Sequence, residues 1–284
     1  MGNRKPVEIA AGVYWYAAGP VAGNIYFVQS ASTWVLVDTA TAGTGKRIRE
    51  VAEALFGVSA RPAAILLTHV HPDHSGSARE LAQVWDCPVY LHPDERDLAV
   101  ARNLATVDRY ANPLDRRVIV PLLRLFPRRW VEAMMAKESL AEVVQTFEPD
   151  TAPPGLPEWT SIATPGHSPG HTSFFRQADR VLLTGDALLT VDAASFGGVL
   201  SWVLHPDKPQ LCEPPWYTNW DRDKMLASAS AVVRLQPQVL ASGHGHPLAG
   251  DAIATALNDY VRRRNLAQVS LSGSGAAGSS RAGS

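Results

Sequence analysis

The stretch THVHPDHSG, residues 68–76, places His69, His71, Asp73 and His74 within six positions. Imidazole nitrogens and carboxylate oxygens are metal ligands, and so many polar groups in one turn would be costly without a cation to satisfy them. On an extended chain His69 and His71 project to the same side, because side chains repeat with a period of two, so both can reach one ion. Asp73 and His74 fall where HSGSARELAQVW starts a helix, which turns them toward a neighbouring position. One turn thus serves two sites and completes neither, since a catalytic zinc ion takes about three protein ligands and keeps a position open.

The remaining ligands must come from distant segments. In TPGHSPGH, His167 and His171 compete. His167 directly follows the Pro-Gly turn and is the preferred ligand, whereas His171 begins the next strand, HTSFF, and suits a group that orients a ligand or lines the wall. TGD supplies Asp186, whose two oxygens can bridge two cations, and SGHG supplies His244. His92, His205 and His246 read as ordinary hydrogen-bonded histidines. A closed structural zinc site is disfavoured, because such sites favour cysteine and four filled positions.

These groups need elements to hold them. GVYWYAAG, NIYFVQS and TWVLVDTA are short, β-branched and aromatic, and read as strands. KRIREVAEALFG carries Ile48, Val51 and Leu55 at helical spacing with Gly57 as a stop. GTGK at 43–46 is no phosphate loop, since Ala40 and Arg47 stand where that motif needs Gly and Ser or Thr. More telling are AAILLTH, WTSIATPGH, RVLLTGD and PQVLASGHG, each an apolar strand running into a small-residue turn that bears His or Asp. Gly166, Gly185, Gly243 and Gly245 allow tight or left-handed backbone at those turns. Residues 93–150 are helix-rich, interrupted at Pro113, Pro121 and Pro127, and read as an inserted cap. Residues 191–222 bear Phe196, Trp202, Trp216, Tyr217 and Trp220, which wall a pocket or else belong to core or to an oligomer interface such as a homodimer. The Gly/Ser-rich stretch 266–284 reads as a disordered tail after one domain spanning 1–265.

Composition narrows the class. A formal net charge of -1 with 19% charged residues gives no basic field for nucleic acid or an anionic membrane. Cys87 and Cys212 are too few and too far apart for a disulfide framework, which fits a reducing compartment. The N-terminus lacks the apolar run of a signal peptide and no segment reaches a membrane span of about 18 residues. The expectation is a cytoplasmic protein with a small-molecule substrate, no nucleic-acid partner and no membrane partner.

The series THVHPDHSG, TPGHSPGH, LLTGDAL and ASGHGHP, in that order, resembles the metallo-β-lactamase superfamily over about residues 10–260. The resemblance implies an α/β fold of four layers, an αββα sandwich with a dinuclear site at the sheet edges. It gives His69, His71 and His167 to the first metal and Asp73, His74 and His244 to the second, with Asp186 bridging. The implied cofactors are two divalent ions, zinc first, with iron or manganese as alternatives. The implied reaction is attack of a metal-bridging hydroxide on an ester, thioester or lactone carbonyl, with Asp73 and Asp186 as the catalytic carboxylates and Asp73 able to relay a proton.

Departures from the subfamilies narrow this further. Asp186 stands where family β-lactamases typically carry Cys or Ser. The glutathione-binding helical domain of glyoxalase II-like enzymes has no room in the 40 residues after His244. Leu189 replaces the tyrosine of homoserine-lactone lactonases, the basic surfaces of the nuclease branches are missing, and His71 disfavours the flavo-diiron oxidases. β-Lactamase or phosphodiesterase activity is therefore disfavoured. Arg124, Arg128 and Arg129 on the apolar cap suit an acyl chain joined to an anionic group. The main alternative is a persulfide dioxygenase-like enzyme, which resembles this pattern but uses one iron held by the equivalents of His69, His167 and Asp186.

Overall fold

The computed structural model describes residues 5–18, 23–193, 195, 197–198 and 210–264, with backbone alone for 265–273. Its order follows from strands too apolar to face water on either side. Seven strands, β1 (Val7–Ala10), β2 (Val13–Ala17), β3 (Asn24–Ser30), β4 (Thr33–Val37), β5 (Ala64–Leu66), β6 (Val89–Leu91) and β7 (Val144–Thr146), form one sheet in chain order, antiparallel through β4 and parallel thereafter. Five more, β8 (Trp159–Ala163), β9 (Thr172–Arg176), β10 (Val181–Gly185), β11 (Val239–Ser242) and β12 (Leu248–Ala249), form the second sheet, parallel only between β10 and β11.

Alternation along the strands sorts the core into three layers. Val28, Val35, Val37 and Leu66 meet Trp159, Phe174, Val181 and Leu183 between the sheets. Their neighbours Phe27, Leu36 and Ile65 face the other way, onto helices α1 (Gly45–Phe56) and α3 (Ala78–Trp85), through Ile48, Val51, Leu81 and Trp85. On the far side Leu182 and Leu240 pack on α8 (Arg222–Arg234) and α9 (Asp251–Gly273) through Met225, Ala229, Val232 and Ile253. Both sheets are thus covered on both faces, giving the αββα sandwich.

The cap between β6 and β7 is built of short helices: α4 (Arg96–Ala99), α5 (Leu104–Arg109), a π-helical turn at Asp115–Ile119 that runs into α6 (Val120–Leu123), and α7 (Arg128–Glu138). Pro127 caps α7, while Pro121 directly follows the π-helical turn within one continuous helical run, the kind of place where the regular hydrogen-bond ladder is already interrupted. The backbone of α9 continues to Gly273, into the stretch expected as a tail, since the good helix formers Leu266, Ala267 and Gln268 precede the glycine-rich run. Residues 274–284 of that expected tail lie outside the described residues, as do Phe196, Trp202 and His205. No described helix is long and apolar enough to cross a membrane.

Candidate metal centre

Five strand ends meet at one edge of the sandwich. The loop after β5 presents His69 and His71 in extended backbone, and the short helix α2 (Pro72–Ser75) then rotates Asp73 and His74 away. His167 lies in the turn between β8 and β9, Asp186 directly follows β10 and His244 follows β11. Gly166, Gly185 and Gly245 take positive φ at these turns, as their sequence position suggests. Gly243 does not: it is small because a Cβ there would collide with Asp186 Oδ1 and stand 2.7 Å from His74 Cε1.

The structure brings all seven sequence-derived ligands together, in three overlapping groups whose ligand atoms lie within 4.8 Å of one another: His69, His71 and His167; Asp73, His74 and His244; and His69, His74 and Asp186. In the first group His69 Nε2 and His71 Nδ1 are 3.0 Å apart, and His71 Nδ1 and His167 Nε2 are 2.9 Å apart. In the second, His244 Nε2 lies 3.4 Å from His74 Nε2 and 3.3 Å from Asp73 Oδ2. Asp186 sits between them, Oδ2 at 3.3 Å from His167 Nε2 and 3.5 Å from His244 Nε2, and Oδ1 at 3.6 Å from His74 Nε2.

The hydrogen bonds behind the ligands decide which nitrogen faces inward. Thr68 Oγ1 donates to Asp38 Oδ2 at 2.8 Å and so accepts from His69 Nδ1 at 3.0 Å. Asn219 Oδ1 accepts from His167 Nδ1 at 2.9 Å, and Asp38 Oδ2 accepts from His74 Nδ1 at 2.8 Å. With those protons placed outward, the Nε2 atoms of His69 and His167 turn lone pairs toward one another. His171 is no ligand: its Nε2 accepts from the Asp186 backbone N–H at 2.9 Å and its Nδ1 contacts Thr164 Oγ1 at 2.8 Å, so it fixes where Asp186 begins. Buried Glu95 ties the two ligand loops together, accepting from Val70 N at 3.1 Å and Gly170 N at 2.7 Å.

The two groups carry opposite electrostatics. Burial holds His69, His167 and His171 below the ordinary imidazole value and takes His71 down to about 3, so this side is neutral and its lone pairs are free. On the other side burial also opposes charge on His74 and His244, but the carboxylates of Asp186 and Asp73 outweigh it and lift them to about 9 and about 10. Burial is likewise outweighed at Asp186 and Asp73, whose pKa values fall below the usual range beside these imidazoles. Facing lone pairs, paired carboxylates and a buried Asp186 Oδ1 with no hydrogen-bond partner are all satisfied by cations, so the residues fit two divalent metals.

A cavity of about 820 Å3 opens over these ligands. Leu98, Val107, Leu114 and Ile119 of the cap form one wall, and Leu189, Val191, Pro214, Pro215 and Tyr217 the other. Of the aromatic segment only Tyr217 reaches the cavity among the described residues; Trp216 is exposed, and Trp220 packs under the Lys224 ammonium. The cap arginines do not line it. Arg124 pairs with Asp108 at 3.0 Å and Arg128 with Glu132 at 2.7 Å, so the expected anionic-group site at Arg124, Arg128 and Arg129 is corrected: no described Lys or Arg lines the cavity. Asp115 does, and its carboxylate accepts from the Asn112 backbone N–H but pairs with no Lys or Arg among the described residues.

Asp38, Thr68, Glu95 and Asn219 were not identified from sequence. Asp38 had a signal, since VLVDTA is another apolar strand ending in a small-residue turn with an acid; Glu95 and Asn219 had none.

Comparison with known proteins gives concordant matches. The Metallo-beta-lactamase superfamily profile matches residues 18–244. The chain is 34% identical over 246 residues to the probable metallo-hydrolase YflN of Bacillus subtilis (strain 168), covering 84% of this chain and 87% of that protein. Among solved structures it is similar to the di-iron-bound form of TTHA1623 (TM-score 0.53, 24% identity, 84% of this chain and 95% of the other). It is also similar in fold to AidC, a dizinc quorum-quenching lactonase in complex with a product (TM-score 0.53, 15% identity, 82% and 72%).

Proposed function

The chain belongs to the metallo-β-lactamase superfamily, and from that membership we propose that it is a dinuclear metal-dependent hydrolase acting on an ester, thioester or lactone whose acyl part is apolar and whose other part carries no negative charge. Metal-dependent hydrolysis is the activity given to its relatives; the substrate class is read from the cavity. Two divalent ions bound there lower the pKa of coordinated water and polarise a carbonyl oxygen. The dizinc and di-iron neighbours lend support to two ions in this arrangement, with zinc the leading candidate.

The protein's own residues prepare that chemistry. Asp38, Thr68 and Asn219 lock imidazole orientations, Glu95 holds two ligand loops in register, and His171 pins the backbone of Asp186. Asp73, the most exposed of the carboxylates at 34%, faces the cavity and is placed to pass a proton to a departing alkoxide or thiolate.

The observation that carries the substrate class is the cavity wall, apolar on two sides, with the Asp115 carboxylate on the cap side and no described Lys or Arg. Burial pushes the Asp115 carboxyl up, a sign that its charge is poorly solvated. An anionic tail against the cap wall would meet repulsion from Asp115 with no described Lys or Arg to offset it. Metal analysis of the purified protein with a panel of neutral and anionic acyl esters, thioesters, lactones, a phosphodiester and a β-lactam tests this. Turnover should rise with neutral acyl length. One iron per chain with oxygen uptake on a persulfide would replace the hydrolase reading by the dioxygenase one.

A further inference from the structure

The cap carries an exposed surface that the catalytic centre does not use. Between Val118 and Met134 the chain leaves large apolar side chains in water: Leu125 is 80% exposed, Trp130 63%, and Leu122 and Phe126 51% each. Trp130 and Met134, four apart on α7, share its outer face while Val131 is buried on the inner one. Solitary exposed apolar residues need no explanation, but a cluster containing Trp, Phe and Leu does.

Charge identifies the occupant. Arg116, Arg117, Arg124, Arg128 and Arg129 are all exposed between residues 116 and 129, a run without an acid, and of the five Arg124 and Arg128 pair with Asp108 and Glu132. Arg117 and Arg129 have no partner among the described residues. The chain's net charge of -1 therefore conceals a local positive excess surrounding apolar tips. A two-fold pairing of this face with a second copy would set the arginines against themselves. An anionic phospholipid surface satisfies both features at once, with Trp, Phe and Leu entering the headgroup boundary and guanidinium groups meeting phosphate.

We infer that the cap is a docking face for an anionic phospholipid bilayer. Ile119, 39% exposed, belongs to this face and also lines the cavity over the metal ligands, so docking would bring a bilayer beside the mouth of the cavity. That last link, entry of acyl substrates from the bilayer, rests on the proposed function; the docking itself does not.

The test is co-sedimentation of the full chain with vesicles of phosphatidylcholine alone or mixed with phosphatidylglycerol, alongside hydrolysis of a water-soluble short-chain ester. Binding is expected to the phosphatidylglycerol vesicles, and added salt should reverse it. Arg117→Glu with Arg129→Glu should weaken partitioning roughly tenfold or more. Leu125→Ser with Phe126→Ser and Trp130→Ser should do the same, and all these variants should keep ester hydrolysis. Absence of sedimentation, equal binding to both vesicle types, or unchanged binding after charge reversal would overturn the docking face. So would a dimer in ultracentrifugation that the apolar variant converts to monomer, which would assign the face to a second copy. A protein that sediments as expected yet hydrolyses no ester leaves the docking intact and refutes the functional reading alone.

Discussion

The carboxylate of Asp38 accepts from His74 Nδ1 at 2.8 Å while also accepting from the Thr68 backbone N–H and hydroxyl, each at 2.8 Å. One buried side chain therefore orients a ligand in each metal group, His74 directly and His69 through Thr68. Asp38 holds φ +59, a left-handed conformation that costs an L-residue energy and that the surrounding bonds sustain. Asp38→Ala should leave the αββα sandwich folded but lower metal affinity about 10- to 100-fold, the usual loss when the partner of a ligating histidine is removed. Competition with a chelator of known affinity measures it. Unchanged affinity for both ions would show that Asp38 serves only the fold.

Gly243 gives a steric counterpart. A methyl group there would occupy the place of Asp186 Oδ1 and press on the His74 ring. Gly243→Ala should reduce metal stoichiometry below two and lower kcat about 100-fold, as small misplacements of reacting groups do. Its circular dichroism should match the parent. Retention of two metals and full activity would mean that Asp186 moves freely and does not bridge.

Much of this arrangement was legible in the sequence, and the reasons are physical. The ligands are polar residues at the ends of apolar strands, where a soluble core has no use for them. The alternation of β3, β4 and β5 announces sheets buried on both faces. The supporting groups were harder. Glu95 is an ordinary surface-type residue in a charged run, LHPDERD, and only the approach of Val70 and Gly170 in space gives it two donors to satisfy. Asn219 lies 52 positions from the imidazole it orients. The three cap arginines misled for the opposite reason: helix faces point where tertiary packing turns them, and these turn outward.

Metal removal should expose how far folding depends on the ions. At free metal 100-fold above its Kd, binding contributes about 2.7 kcal/mol, and for a chain of this size each kcal/mol moves Tm by roughly 2–4 °C. Chelation should therefore lower Tm by about 5–10 °C and abolish activity, with both restored by zinc. A Tm unmoved by chelation and re-addition would show that the histidine cluster binds no metal tightly.

The metal-free protein should have its stability maximum near pH 6.5. His74 and His244, raised from 6.5 to about 9 and about 10, keep protons in the folded state that the unfolded chain has released. Their contribution is complete below pH 6.5 and is lost as pH rises through 9 and 10. His69, His71, His167 and His171 shift the other way, so theirs is present above 6.5 and is lost on acidification. Metal occupying the histidines should flatten the alkaline limb. Thermal melts across pH 5–11 with and without zinc check this, and a metal-free Tm still rising between pH 7 and 10 would contradict it.

Asp115 offers the sharpest separation of substrate selection from catalysis. It lines the cavity from the π-helical turn of the cap, its backbone N–H is held by Asn112 Oδ1 at 2.8 Å, and its carboxylate has no cationic neighbour among the described residues. Asp115→Asn removes the charge at nearly constant shape. For a neutral acyl ester, kcat/KM should stay within about twofold, because the group makes no contact that changes in the transition state. For an ester with a carboxylate on its alcohol part, kcat/KM should rise roughly tenfold, with the gain in KM, since one repulsive contact of about 1.4 kcal/mol is relieved. Asp115→Lys should extend the same trend. Equal changes for both esters would place Asp115 in the packing of the cap and remove charge selection from the cavity.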